Sequence, residues 1–325
     1  MNTMPPPLRG LHHVTAISAN AQRNLDFYTQ VLGLRLVKRT VNQDDVSAYH
    51  LFYADELGSP GTDLTFFEWP HVTPGRAGAG TISETAFRVR GGRESLELWL
   101  KWFTKKGVAH RPIEEVNGFP SIPFHDPEGQ CLRLMAELAA GEAKQFHPWR
   151  GSPVPIDAAI VGLAAVSLTV RDVPAMAHFL TEVLGFRAAA TGNEVLETGD
   201  GGPGARVQLQ QNSTRGSQGS GGVHHVAWAV ADVAELQAWQ ARVEGFRLGT
   251  SGMVNRHYFQ SLYFRVPEGI LFELATLGPG FTADGEALEH LGEAVSLPPF
   301  LESRRAEIIA QLKPLQYHPP AGAKS

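Results

Sequence analysis

The hydrophobic pattern of this chain describes one structural unit that recurs along its length. In the first copy, the strand-like run LHHVTAIS at 11–18 precedes a segment in which Leu25, Tyr28 and Leu32 recur at helical spacing until Gly33. Three more runs, rich in β-branched and aromatic residues and separated by turn-forming clusters, then follow: LRLVKRTVN, SAYHLFYA and DLTFFEW. The pattern predicts one strand, one helix and three strands, a βαβββ unit.

Three later stretches repeat this order. The second copy spans 82–138, the third begins at 162 with GLAAVSLTV, and the fourth begins with VHHVAWAV and ends with VPEGILFELATL. A repeated unit that cannot bury its own apolar face is expected to pack against other copies around a shared core. We therefore predict an α+β fold of four βαβββ modules.

The breaks between the copies predict the domain organisation. A linker that contains Pro and Gly, AGEAKQFHPWRGSPVPIDA, separates the second copy from the third and places a boundary near residue 150. We expect an N-terminal domain at 1–150 with modules 1 and 2, a C-terminal domain at 151–280 with modules 3 and 4, and an extension at 281–325. The extension carries a helical pattern, LESRRAEIIAQL, whose apolar side is expected to pack on the body of the protein or on another subunit.

Composition narrows the range of partners. A chain of 325 residues, 43% of them hydrophobic, can bury a large core and suits about two domains. The net charge is -5 and charges of both signs are interspersed, so the chain has no basic stripe for nucleic acid. The start has no apolar signal core, and no stretch approaches the roughly 18 apolar residues of a membrane span, which predicts a cytoplasmic protein without a membrane partner. The single cysteine, Cys131, excludes an internal disulfide and a multi-thiolate metal site.

Two pairs of adjacent histidines stand out against the repeats. His12 and His13 begin the first strand of module 1, and His224 and His225 begin the first strand of module 4. Histidine is the commonest metal ligand among side chains, and a single strand histidine is more often a hydrogen-bonded core residue. Alignment of the four first strands places these residues at one position: His13, Glu84, Ala165 and His225. Only modules 1 and 4 therefore offer an imidazole there.

The last strands of the modules supply a carboxylate at one matching position. Alignment on the turn glycine that precedes each last strand places these residues together: Thr65, Arg133, Gln208 and Glu273. Only Glu273 is acidic, and it lies between Phe272 and Leu274 in an apolar run. A carboxylate buried there is costly unless it is paired or bound to a metal. The sequence thus predicts one metal site, with His13, His225 and Glu273 as ligands.

Two imidazoles and one carboxylate leave adjacent positions open on a six-coordinate ion. This arrangement is typical of non-haem Fe(II) oxygenases, which bind substrate and dioxygen side by side. The same donor set also suits Mn(II), so the choice between the two metals stays open.

With these residues the chain resembles the vicinal oxygen chelate superfamily, which includes glyoxalases, extradiol dioxygenases and antibiotic-resistance proteins. Within it, the chain is most similar to the hydroquinone ring-cleaving dioxygenases, over nearly its whole length. The likeness is carried by LHHVTAISANAQRNLDFYTQVLGLRLVKRTVNQDD, YHLFYADELGSPGT and NRHYFQSLYFRVPEGILFELATLGPGFTADG. It implies Fe(II) held in a cleft shared by modules 1 and 4, and O₂ insertion into a hydroquinone-type ring, with catechols and chlorinated rings as variants.

The resemblance also implies roles for residues around the metal. They are His12 and His224 in proton transfer, Arg256 and Tyr263 in stabilising an oxyanion or holding the distal hydroxyl, and Thr15 and His257 in substrate binding. His257 stands where the family has a smaller residue, which alters the expected pocket shape. Because neighbouring strand residues point to opposite faces, one histidine of each pair is expected to face away from its neighbour's metal.

Two other functions fit parts of this pattern. A glyoxalase-type lyase or isomerase would use Zn, Ni or Mn as a Lewis acid and would need a fourth protein ligand, whereas Thr65 occupies that position. A metal-free protein that binds an aromatic drug in the cleft is the second alternative. The expected partners of the enzyme are a small aromatic substrate and O₂, and homo-oligomer formation is left open.

Overall fold

The computed structural model describes residues 4–136, 147–190 and 192–317. Within these residues, sixteen strands and four α-helices follow the predicted order of strand, helix and three strands four times over, and a fifth α-helix comes after the last unit. Units 1 and 4 comprise β1 (Leu11–Ser18), α1 (Ala21–Gln30), β2 (Arg35–Asn42), β3 (Asp45–Ala54), β4 (Asp63–Glu68), β13 (Val223–Val230), α4 (Val233–Gly245), β14 (Thr250–Asn255), β15 (Phe259–Arg265) and β16 (Leu271–Pro279). The predicted four βαβββ modules are confirmed.

The other two units have the same composition. Units 2 and 3 comprise β5 (Thr81–Val89), α2 (Arg93–Lys106), β6 (Glu114–Val116), β7 (Phe119–His125), β8 (Cys131–Met135), β9 (Ile160–Val170), α3 (Val173–Leu184), β10 (Arg187–Ala189), β11 (Gly192–Glu197) and β12 (Arg206–Gln211). The final helix, α5 (Arg305–Gln311), follows a 3₁₀ turn at Pro299–Arg304.

The strands form two eight-stranded sheets, each made from two units. Units 1 and 4 form the first sheet, in the order β14-β15-β16-β13-β1-β4-β3-β2, and units 2 and 3 form the second, in the order β10-β11-β12-β9-β5-β8-β7-β6. In each sheet the first strands of the two units pair antiparallel at the centre. The first sheet therefore joins the beginning of the repeat region to its end.

Local sequence accounts for the ends of the helices. The side chains of Asn20, Asp172 and Asp232 accept hydrogen bonds from backbone amides in the first turns of α1, α3 and α4. Gly107 and Gly185 end α2 and α3 with φ angles of 68° and 71°, which glycine adopts without a Cβ clash.

One apolar core cluster takes residues from all four units. It contains Leu25, Leu96, Leu180 and Leu236, one from each of the helices α1 to α4. On β1 the alternate residues Val14 and Ala16 belong to this core, while His13 and Thr15 lie on the opposite side and line a cavity. β1 is thus buried on both faces, because one face packs in the apolar core and the other borders the cavity.

The C-terminal extension packs on the body of the chain. Ile308 of α5 is fully buried. Upstream, the ammonium group of the buried Lys38 on β2 contacts Asp284 at 2.8 Å and Glu286. These ion pairs fix the extension against unit 1.

Two further expectations concern the outline of the chain. The linker predicted at 140–158 lies partly outside the described residues, and the domain boundary near residue 150 stays a prediction. Among the residues that the structure describes, no helix has the length and apolar character needed to cross a membrane.

Candidate metal centre

The two histidine pairs meet at the centre of the first sheet, where β1 and β13 pair. Each strand has an irregularity there, because Leu11 and His13 pair with consecutive residues of β13, and Val223 and His225 pair with consecutive residues of β1. His12 and His224 are therefore the extra residues of two β-bulges. Bulges re-aim side chains and are common beside active sites.

These bulges overturn the expected opposite orientation of neighbouring histidines. The Nδ1 atoms of His12 and His13 lie 2.9 Å apart, and those of His224 and His225 lie 2.7 Å apart. In each pair, the ring of the bulge residue, His12 or His224, therefore lies beside the ring of the predicted ligand and not on the other face of the sheet.

Three predicted ligands converge on one point. The Nε2 atoms of His13 and His225 are 3.4 Å apart, and they lie 3.1 and 2.9 Å from Oε2 of Glu273. All three side chains are buried. Glu273 enters this group from β16, which pairs in parallel with β13.

The donor set fits a divalent metal ion. Nitrogen and oxygen ligands at about 2.1 Å in adjacent octahedral positions stand about 3 Å from one another, which matches these separations. Oε2 of Glu273 is buried and has no partner of hydrogen-bond geometry among the described residues, although two imidazoles face it. Burial alone raises the pKa of Glu273, but His13 and His225 outweigh burial and hold that pKa well below its ordinary value.

The hydrogen bonds behind the ligands fix their tautomers. If Nε2 of His13 binds the ion, its Nδ1–H donates to Nδ1 of His12, and Nε2–H of His12 donates to the carbonyl oxygen of Thr276 at 3.1 Å. Burial, assisted by the neighbouring ligand histidine, lowers the pKa of both His12 and His224 to about 3. Both rings are thus neutral and can accept these bonds.

Glu273 is held by a neighbour that was not predicted. The hydroxyl of the fully buried Ser261 donates to Oε1 of Glu273 at 2.5 Å. This bond leaves Oε2 directed to the two imidazoles.

A cavity of about 310 Å³ opens in front of the ligands. Unit 1 lines the cavity with the aromatic residues Phe52, Phe67 and Trp69, and unit 4 lines it with Tyr258 and Phe259. A small planar ring suits such a space, because aromatic faces surround it and few formal charges enter it.

Arg256 and Tyr263 are polar residues that unit 4 contributes to the cavity lining. Nε of Arg256 donates to the Tyr263 hydroxyl at 3.1 Å, and a second nitrogen of Arg256 pairs with Asp44 at 3.1 Å. Asp44 belongs to the turn between β2 and β3, so unit 1 helps to position the guanidinium group. Burial, and then Glu273, raises the pKa of Tyr263, which keeps its hydroxyl protonated.

The remaining predicted site residues differ in whether they line the cavity. Thr15 lines the cavity and its hydroxyl bonds the Thr65 hydroxyl at 2.8 Å. His224 also lines the cavity, whereas His12 and His257 do not. His257 has a positive φ of 75° and packs against Tyr258. It thus contacts a cavity residue without lining the cavity itself.

Several cavity residues were missed by sequence reasoning. They are Thr40, Asn42, His50, Phe52, Phe67, Trp69 and Tyr258, and Ser261, which bonds Glu273 without lining the cavity, was missed as well. Part of this set had a signal in the repeats, because HLFY at 50–53, SIPF at 121–124 and SLYF at 261–264 occupy the same strand of their units. Loops of different length hide that match.

The second sheet carries an ion pair at the positions that hold the ligands in the first. Ala86 pairs with Arg133 as Ala227 pairs with Glu273, so the turn-glycine alignment gives the true register. Arg133 binds Glu84 through Nε at 2.9 Å. In that sheet the Arg133 guanidinium, which also pairs with Glu114 at 2.8 Å, takes the place that the predicted ligands occupy in the first sheet.

Fold and site together define a protein of the vicinal oxygen chelate type. A profile of the Glyoxalase/Bleomycin resistance protein/Dioxygenase superfamily matches residues 10–134 and 162–274, and the chain belongs to this superfamily.

Relatives over the whole length give the enzyme class. The chain is 46% identical to "Putative ring-cleaving dioxygenase MhqA" of Bacillus subtilis, over 95% of this chain and 99% of that protein. It is 32% identical to the chlorohydroquinone/hydroquinone 1,2-dioxygenase of Sphingobium indicum, over 95% and 97% of the two chains. A crystal structure titled as a "putative dioxygenase" from Bacillus subtilis superposes with a TM-score of 0.86 at 35% identity, covering 96% and 98% of the chains. The predicted superfamily and the predicted class, a ring-cleaving dioxygenase, are confirmed.

Proposed function

We propose that this protein is an Fe(II)-dependent dioxygenase that inserts O₂ into a hydroquinone-type aromatic ring, with catechols and chlorinated rings as variant substrates. The observation that carries the proposal is the convergence of His13, His225 and Glu273 at the base of an aromatic-lined cavity. Mn(II) is the alternative metal, since the donor set suits both ions.

Bound Fe(II) would supply adjacent positions for one ionised substrate hydroxyl and for O₂, and the electron transfer that activates them. The protein's own part is to hold the ring and to place charge. Phe67 and Trp69 offer faces on which an aromatic ring stacks. Arg256 and the protonated Tyr263 present donors from one side of the cavity to an oxygen that becomes negative.

We assign different roles to the two bulge histidines. His12 contacts a backbone carbonyl and does not line the cavity, so we propose that it positions His13. His224 lines the cavity, and we propose that its Nε2 exchanges protons with the substrate or product.

Oxygen uptake tests the proposal. Protein reconstituted anaerobically with Fe(II), and separately with Mn(II), is mixed with aerated hydroquinone, chlorohydroquinone or catechol, and oxygen and product spectra are followed. We expect one O₂ consumed per ring opened. Glu273→Gln should lose this activity with its metal, whereas Glu84→Gln, at the carboxylate that pairs with Arg133 in the second sheet, should keep both.

The same experiment separates the two alternatives. Anaerobic turnover of a hemithioacetal without oxygen uptake would indicate a glyoxalase-type lyase. In the structure, however, Thr65 is bonded to Thr15 and His50 and is not directed at the ligands as a fourth donor. Aromatic binding that is unchanged after metal removal, with no turnover, would indicate a drug-binding protein.

A further inference from the structure

A fourth pocket histidine, His50 on β3, belongs to neither of the two adjacent histidine pairs. Its ring lies between Phe52 and Phe67, with centroid distances of 4.0 and 4.3 Å, and it lines the same cavity as His13 and His225. It belongs to unit 1, whereas Arg256 and Tyr263 belong to unit 4. Both units therefore contribute polar groups to the cavity.

The pairing of strands shows what position His50 occupies in the repeat. Phe52 pairs with Thr65 and His50 with the residue two further along β4. In unit 4, Tyr263 pairs with Glu273 and Ser261 with the residue two further along β16. His50 thus stands where Ser261 stands in unit 4, and each bonds the residue at the matching ligand position.

The two equivalent residues, Ser261 and His50, differ in whether they line the cavity. Ser261 does not line the cavity, and its bond goes entirely to the metal-binding carboxylate. His50 bonds Thr65 through Nε2 at 3.1 Å, and Thr65 in turn bonds Thr15. Nδ1 of His50 has no hydrogen-bond partner among the described residues, and it is not one of their buried unpaired atoms. This nitrogen is therefore accessible, on a residue that lines the cavity.

Burial favours the neutral form of the His50 imidazole. Burial, and then the charges of His13 and His225, hold its pKa well below the ordinary value. A neutral ring presents either a donor or an acceptor at Nδ1, depending on which way Thr65 orients the tautomer. A neutral hydroxyl can pair with both forms, because it donates and accepts.

We infer that Nδ1 of His50 hydrogen-bonds the second hydroxyl of the substrate, the one that the metal does not hold. This inference rests on the proposed function and deepens it, because it makes His50 a residue that selects the substrate class. A ring with a second hydroxyl remote from the metal, such as hydroquinone, gains this bond. A phenol lacks that hydroxyl, and a catechol directs both of its hydroxyls to the metal.

Anaerobic calorimetry tests the assignment without turnover. Hydroquinone and phenol are titrated into the Fe(II)-loaded wild-type protein and into three variants: His50→Phe, His50→Gln and His178→Phe. His50→Phe should weaken hydroquinone binding about tenfold, the size of one hydrogen bond, and should leave phenol binding within about twofold. His50→Gln retains a donor and an acceptor and should restore part of the difference. His178 lies exposed on α3, so the same substitution there should change neither affinity.

The outcomes distinguish this inference from the proposed function. Equal losses for hydroquinone and phenol, no loss for either, or no hydroquinone binding by the wild type would overturn the role of His50. If oxygen uptake persists in those cases, the dioxygenase proposal stands alone. A tenfold, hydroquinone-specific loss in a protein that consumes no oxygen would instead keep the binding role and reject the enzyme proposal.

Discussion

At the residue scale, one hydroxyl group controls how the ligand carboxylate is presented. Ser261 donates to Oε1 of Glu273, so that Oε2 is left for the ion. The second sheet contains the same serine without the metal site, because Ser121 occupies the equivalent position and accepts from Arg133 at 2.9 Å. The two serines form a natural comparison, since both are fully buried.

We predict that Ser261→Ala weakens Fe(II) or Mn(II) binding about 10- to 100-fold, as is usual when a residue that orients a metal ligand is lost. The measurement is competition with a chelator under anaerobic conditions. Ser121→Ala should bind the metal as the wild type does, although it loses a buried hydrogen bond of similar kind. Equal weakening in both variants would show that the effect is general loosening of the fold.

At the element scale, a turn of unit 2 is tied to the first helix of unit 1. Asp126, between β7 and β8, accepts the amides of Glu128 and Gln130 at 2.8 Å, and the Tyr28 hydroxyl of α1 donates to it at 3.2 Å. Burial raises the pKa of Asp126 to about 6, although these hydrogen bonds lower it. The folded protein therefore binds this proton more tightly than the unfolded chain does.

This difference predicts a loss of stability as pH rises. The contribution of Asp126 is fully present below its ordinary pKa of 3.8 and is lost as pH rises through about 6. Asp126→Asn cannot ionise and keeps an oxygen acceptor for the turn. The free energy of unfolding of the wild type, relative to this variant, should fall by roughly 2 to 3 kcal/mol between pH 4 and pH 7. Urea denaturation of both proteins at the two pH values measures it, and parallel curves would contradict it.

At the scale of the whole molecule, the candidate metal centre draws its residues from the two ends of the repeat region. His13 comes from the first strand of the first unit, and His225 and Glu273 come from the first and last strands of the fourth. The ion would bind the native chain and not the unfolded one, because only the native sheet brings these residues together. Metal binding is thus expected to stabilise the pairing of β1 with β13.

We predict that adding Fe(II) or Mn(II) at about a hundred times its dissociation constant raises the free energy of unfolding by about 2.7 kcal/mol. Anaerobic thermal and denaturant unfolding, with metal or with chelator, measures this gain. Glu273→Gln should remove the metal-dependent gain, whereas Glu84→Gln should retain it even if its baseline stability is lower. The same gain in both variants would mean that the metal binds elsewhere.

Much of this architecture was predictable because it depends on the local periodicity of apolar residues. The order of strands and helix in each unit follows from apolar spacing, and alignment on one turn glycine gave the register that places Glu273 opposite Thr65 and Arg133. Because the unit recurs four times, residues that differ from their counterparts at matching positions could be recognised. The convergence of His13, His225 and Glu273 could be predicted because these residues depart together from what the other units carry.

Other features exist only in the folded sheet. A bulge is a property of two paired strands, so the sequence of β1 alone could not show that His12 turns back beside His13. The place of His50 depends on hairpin register, which loops of unequal length obscure along the chain. The ion pairs of Lys38 with Asp284 and Glu286 of the C-terminal extension join residues almost 250 positions apart. Sequence by itself determined the modules and the candidate ligands, since both follow from short-range spacing. Tertiary structure decided how neighbouring side chains are turned, because that depends on which strands lie side by side.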